Sequence, residues 1–67
     1  MTDEQILQAG YWVNIYTMSA HNNFGYEINK KLRLSWRTEL NKGNFKTPQL
    51  AREQAVKELT YIIQNNG

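Results

Sequence analysis

Tyr26-Glu27-Ile28-Asn29-Lys30-Lys31-Leu32-Arg33-Leu34-Ser35-Trp36-Arg37-Thr38-Glu39-Leu40 is the stretch that decides the fold class. Its even positions read Tyr, Ile, Lys, Leu, Leu, Trp, Thr, Leu, and its odd positions read Glu, Asn, Lys, Arg, Ser, Arg, Glu. That is a period of two, the signature of strand with one apolar and one polar side. A helix would put Leu34 on the side opposite Leu32, Trp36 and Leu40, which fits the pattern less well. At about 3.3 Å per residue one uninterrupted strand would run roughly 50 Å, too long for a small domain. The run must therefore bend or break, and Asn29-Lys30-Lys31, with the single charge on the apolar side at Lys30, is the expected place.

Upstream, Tyr11 to Met18 is dense in aromatic and β-branched residues and predicts another strand. Alternation puts Tyr11, Val13, Ile15 and Thr17 on one side and Trp12, Asn14, Tyr16 and Met18 on the other. Ser19 to Gly25 carries an Asn-Asn pair and a glycine, the chemistry of a chain reversal. Before the first strand, Thr2 followed by Asp3, Glu4 and Gln5 resembles a capping box. It predicts a short helix, stopped by Gly10, that docks through Ile6 and Leu7.

Downstream, Asn41-Lys42-Gly43-Asn44 reads as a turn, Phe45 as a core anchor, and Thr47-Pro48 as a helix start with Thr as N-cap. Ala51, Ala55, Leu59, Ile62 and Ile63 form an apolar stripe at helical spacing, with Val56 beside it. Trp36 is expected against Leu59. Asn65-Asn66-Gly67 suits a left-handed cap. Glu53 and Lys57 stand four apart as a local ion pair. Leu50 and Tyr61, off the stripe, either cover the first helix or form a patch for a partner. The fold class expected is α+β over residues 1–67 as one small domain: a short N-terminal helix, a three-stranded antiparallel sheet, and a C-terminal helix on one face.

Composition narrows the function. The 67 residues include no cysteine and one histidine, so a disulfide, a thiolate zinc site and a thiol nucleophile are all excluded. His21 sits in a polar turn with only Ser19 near it in sequence, and the six carboxylates lack acid/base or metal spacing. No glycine-rich phosphate loop occurs. No catalysis, cofactor or metal is expected. The mean hydropathy of -0.71 and the lack of a long apolar run argue against a membrane span, and Met-Thr-Asp-Glu against a signal peptide, so a cytoplasmic protein is expected.

Eight basic against six acidic residues give +2, with a pI near 9.1, too modest a balance to announce nucleic acid by itself. The sharper signal is local. Lys31, Arg33 and Arg37 share the polar side of the long run beside Ser35, and register decides whether Trp12, Asn14 and Tyr16 join them. If they do, rings for stacking, an amide for base edges and cations for phosphates share one sheet face. If Trp12 and Tyr16 instead lie beside Leu32 and Leu34, those rings are core. Lys42 and Lys46, bracketing Phe45, would add phosphate contacts from a loop. The expected function is a small accessory or regulatory nucleic-acid-binding protein, DNA ahead of RNA. The alternative is a protein-interaction module, such as a small inhibitor of a host protein encoded by a mobile element, presenting the same face to an acidic partner. Exposed edge strands also admit a homodimer by strand pairing.

Gly43-Asn44-Phe45-Lys46-Thr47-Pro48-Gln49-Leu50-Ala51, with its Phe-x-Thr-x-x-x-Ala pattern opening the last helix, resembles the N-terminal arm-DNA-binding domain of phage integrases. Trp12-Val13-Asn14-Ile15-Tyr16 is similar to that family's aromatic first strand. The resemblance implies three antiparallel strands packed on one helix, with the sheet as the DNA-binding surface. It differs in having fewer basic residues and a longer first turn, and it implies binding only, since no catalytic domain follows in these residues.

Overall fold

The computed structural model describes residues 1–18 and 23–66. In chain order these form α1 (Asp3–Gln8), β1 (Tyr11–Met18), β2 (Asn23–Lys31), β3 (Trp36–Phe45) and α2 (Pro48–Asn66). The expected α+β architecture is the observed one. The strands form one antiparallel sheet in the order β1-β2-β3, and α2 packs across one of its faces.

Local chemistry accounts for both helices. Gln5 N–H donates to Thr2 Oγ1 at 3.2 Å while Thr2 N–H donates to Gln5 Oε1 at 2.9 Å, a reciprocal capping box. Gly10 ends the segment at φ +87°, and its carbonyl accepts from Lys31 N–H at 2.8 Å, tying the entry of β1 to the end of β2. Ile6 is fully buried, but Leu7, expected to dock with it, stays about half exposed. In α2, Leu50 N–H donates to Thr47 Oγ1 at 3.1 Å, so Thr47 caps the helix that Pro48 opens. The capping end of α2 expected at Gly67, and the turn residues Ser19 to Asn22 with His21, lie outside the described residues.

The core is Ile6, Tyr11, Val13, Tyr26, Ile28, Ala51, Ala55 and Leu59, with Ile15, Phe24, Leu40, Phe45, Ile62 and Ile63 packed around it. Two alanines on the inner side of α2 let the helix backbone approach the sheet closely, and Leu59 fills the space beyond them. Phe45 anchors as expected, its ring 5.6 Å from that of Tyr26 in a tilted arrangement.

Several expectations fail, and strand register is the reason for most. The long run breaks at Leu32–Ser35 rather than at Asn29–Lys31: Leu32 N–H donates to Ser35 C=O at 2.7 Å, which leaves Arg33 and Leu34 at the hairpin tip. Leu34 is therefore 95% exposed. Asn23 to Gly25 belong to β2 rather than to a turn, and Asn41 to Asn44 belong to β3. The turn-like composition of the latter marks an irregularity inside the strand. Between the pairs Phe24↔Phe45 and Tyr26↔Lys42, β3 has one residue more than β2, and Asn44 takes φ 70°. A second bulge falls between Ile28↔Leu40 and Asn29↔Thr38, where Glu39 is the extra residue. Each insertion exchanges the faces of the residues beyond it. Trp36 therefore does not meet Leu59; it sits on the opposite side of the sheet, 47% exposed.

On α2, Leu50 and Tyr61 remain exposed, Leu50 beside Phe45 rather than over α1. The ion pairs among the described residues are Arg37–Glu39, Lys42–Glu58 and Arg52–Asp3, so the expected Glu53–Lys57 pair is not formed.

Candidate binding face on the open side of the sheet

Register assigns each strand residue to a side, because directly paired residues project from the same face. Four rows face α2: Tyr11–Lys30–Arg37, Val13–Ile28–Leu40, Ile15–Tyr26–Lys42 and Thr17–Phe24–Phe45. The other face carries the rows Trp12–Asn29–Thr38 and Asn14–Glu27–Asn41, together with Tyr16 over Gly25 and Lys31 beside Trp36. Among the described residues α2 lies on the first face, and the second is bordered only at one end, by Leu7 of α1.

Trp12, Asn14 and Tyr16 thus share the open face, with Trp12 38% exposed, Asn14 exposed and Tyr16 partly so. The cations expected to join them separate. Lys31 does lie on this face, and Arg33 projects at the hairpin tip next to it. Arg37 belongs to a row on the α2 side, where its guanidinium donates to Glu39 Oε1 at 2.6 Å. Lys42 also lies on the α2 side, its Nζ 3.3 Å from Glu58. It is a strand residue, not part of a basic loop. Lys46 is exposed just beyond β3, next to the cap of α2.

The open face is held by polar contacts that cross strands. The Tyr16 ring lies across β2, and its hydroxyl donates to Asn41 Oδ1 on β3. Gly25 makes this crossing possible: a Cβ there would fall 2.5 Å from Tyr16 Cζ and 2.6 Å from its oxygen. Thr38 Oγ1 donates to Asn29 Oδ1 at 2.9 Å. Each of these asparagines accepts through Oδ1 and keeps two N–H donors on Nδ2. At the α1 end of the sheet, Leu7, Trp12, Asn29 and Trp36 line an open groove of about 520 Å³.

Leu7, Asn29 and Trp36 were not picked out from the sequence as site residues. Asn29 carried a usable signal, being on the same side of its strand as Lys31. Trp36 carried none, because an extra residue at Glu39 is invisible to a count of alternating positions. Among the described residues, no group of three or more His, Asp or Glu side chains stands close enough to hold a metal ion. Nor is any helix long and apolar enough to cross a membrane. Among the described residues, the Tyr26 hydroxyl is held above the ordinary tyrosine pKa by burial and, secondarily, by the Glu58 carboxylate; it lies in the core, not on this face. Comparison of the chain with protein families, with curated proteins and with solved structures finds no match.

Proposed function

We propose that this chain is a small, non-enzymatic nucleic-acid-binding protein that acts as an accessory or regulatory factor, DNA ahead of RNA, through the open face of its sheet. One observation carries the reading: register gathers Trp12, Asn14, Tyr16, Asn29, Lys31 and Trp36 on the sheet face opposite the one that α2 packs against. Indole rings supply stacking surface, asparagine amides supply donors at the reach of base edges, and Lys31 with Arg33 supplies charge for phosphates. The resemblance to the arm-DNA-binding domain of phage integrases, which also uses its sheet, adds support.

The charge count sets the expected strength. With Arg37 and Lys42 paired to carboxylates, Lys31 and Arg33 are the cations best placed for phosphates. Two neutralised phosphates give a slope of log affinity against log salt between about -1 and -2, and micromolar or weaker binding. Fluorescence polarisation with labelled DNA and RNA, single- and double-stranded, across a salt series tests this. Absence of binding at low salt to every probe would refute it.

A second reading is favoured by a different observation. Leu7, Trp12, Leu32, Leu34 and Trp36 are all exposed large apolar residues. Such a surface fits a protein partner with an acidic rim, as in a small inhibitor of a larger protein encoded by a mobile element. Loss of nucleic-acid binding in the salt series, with retention of a partner in a pull-down that Trp12→Ala abolishes, would establish it.

A further inference from the structure

We infer that the groove between Trp12 and Trp36 is a slot for one unpaired base, so that the ligand is single-stranded nucleic acid rather than duplex. The inference rests on the nucleic-acid reading above and goes beyond it in naming the strand form and the residues that select it.

The dimensions fit. Trp12 and Trp36 lie on the two outer strands, in neighbouring rows of the same face two β2 residues apart, Trp12 opposite Asn29 and Trp36 opposite Lys31. Two inter-strand spacings of about 4.8 Å and an offset of two residues at about 3.3 Å each put their Cα atoms about 12 Å apart. Two indole faces need about 7 Å between them to hold a flat ring, which the side chains can supply by leaning inward. Leu7 of α1 lines the same groove and gives it an apolar wall.

The polar groups fit as well. Asn29 lines the groove together with the two indoles, and its Oδ1 accepts from the Thr38 hydroxyl at 2.9 Å. Its Nδ2 carries two N–H donors that a base carbonyl can accept from. Lys31, opposite Trp36, and Arg33, at the following tip, stand at one end of the slot, and neither takes part in an ion pair among the described residues. A single strand threading the slot would bring its phosphates to these two cations. In a duplex, base faces are stacked on one another and closed to the indoles. What would remain for duplex is two phosphate contacts, too few for strong binding.

The test compares fluorescein-labelled (dT)12 with the 12-base-pair (dA)·(dT) duplex at low salt, by polarisation and by intrinsic indole fluorescence. The slot predicts that (dT)12 binds at least about tenfold tighter than the duplex. It also predicts that (dT)12 quenches the indole emission of the unmodified protein and shields it from acrylamide. Trp36→Ala should weaken (dT)12 binding by about 5- to 150-fold, the equivalent of about 1–3 kcal/mol per stacked base, with the circular dichroism spectrum unchanged. Equal binding of duplex and single strand, with no indole protection, would overturn the slot and leave the nucleic-acid reading standing. Binding of neither probe would overturn both. The quenching and acrylamide measurements need no variant, so they decide the matter even where Trp36→Ala destabilises the fold.

Discussion

Gly25→Ala probes the surface contact on which the geometry of the open face depends. The new methyl would lie 2.5 Å from Tyr16 Cζ and 2.8 Å from Cε1, whereas carbon atoms in ordinary contact sit at about 3.5–4.0 Å. The ring must therefore retreat by about 1 Å or more. Because Tyr16 is at the surface it can do so by turning its side chain, which withdraws the hydroxyl from Asn41 Oδ1. The lost hydrogen bond costs about 0.5–1.5 kcal/mol, and a side chain held off its preferred rotamer about as much again. Replacing a strand glycine by alanine returns about 0.5–1 kcal/mol. The net expectation is a loss of about 0.5–2 kcal/mol, from a total of about 3–5 kcal/mol at this size. In a Tyr16→Ala background the obstacle is gone, and the same substitution should be neutral or stabilising. Urea denaturation of the four proteins in the cycle, followed by circular dichroism, measures the coupling, expected at about 1–2 kcal/mol. An equal effect of Gly25→Ala in both backgrounds would refute the claim that Tyr16 crosses β2 over this glycine.

Leu59→Ala should cost about 2–5 kcal/mol and leave the chain largely unfolded, since Leu59 is completely buried between α2 and the sheet; an unchanged thermal midpoint would contradict that packing. Tyr26→Phe should be neutral or stabilising by up to about 1 kcal/mol, because the buried hydroxyl has no hydrogen-bond partner, and a marked loss in thermal denaturation would show that the oxygen is satisfied. The same residue gives a pH dependence. With the folded-state pKa raised above 10.0, the folded chain holds this proton more tightly than the unfolded chain. The stability tied to it is complete below pH 10.0 and is lost as pH rises through the folded value, so Tyr26→Phe should flatten the alkaline limb of a pH–stability curve. Arg33→Gln should weaken nucleic-acid binding and reduce the salt slope by about 1, while Arg37→Gln, on the α2 side and paired with Glu39, should leave both nearly unchanged in polarisation titrations; equal effects would mean that the two guanidiniums share a binding surface.

What could be read from the sequence was whatever depends on neighbours along the chain. Thr2 with Gln5, and Thr47 with Pro48, mark helix starts because their hydrogen bonds close within one turn. The stripe through Ala51, Ala55 and Leu59 marks the buried side of α2, and alternation through Tyr11 to Met18 separates Val13 from Trp12, because both periods are local backbone geometry. The division of β1 into a core side and an open side was legible for that reason, although which side α2 would cover was not. What needed the tertiary structure was the face of each residue in β3. Glu39 and Asn44 are single extra residues relative to β2, and an extra residue is defined only by the partner strand it fails to match. Those two insertions leave Leu40 and Phe45 in the core, send Trp36 to the open face beside Trp12, and turn Arg37 toward the α2 side, while Lys42, two residues from Leu40 in unbroken register, meets Glu58 there. The open face therefore has two tryptophans and fewer cations than alternation alone implied, because strand pairing, and not the spacing of residue types, decides which side chains share a surface.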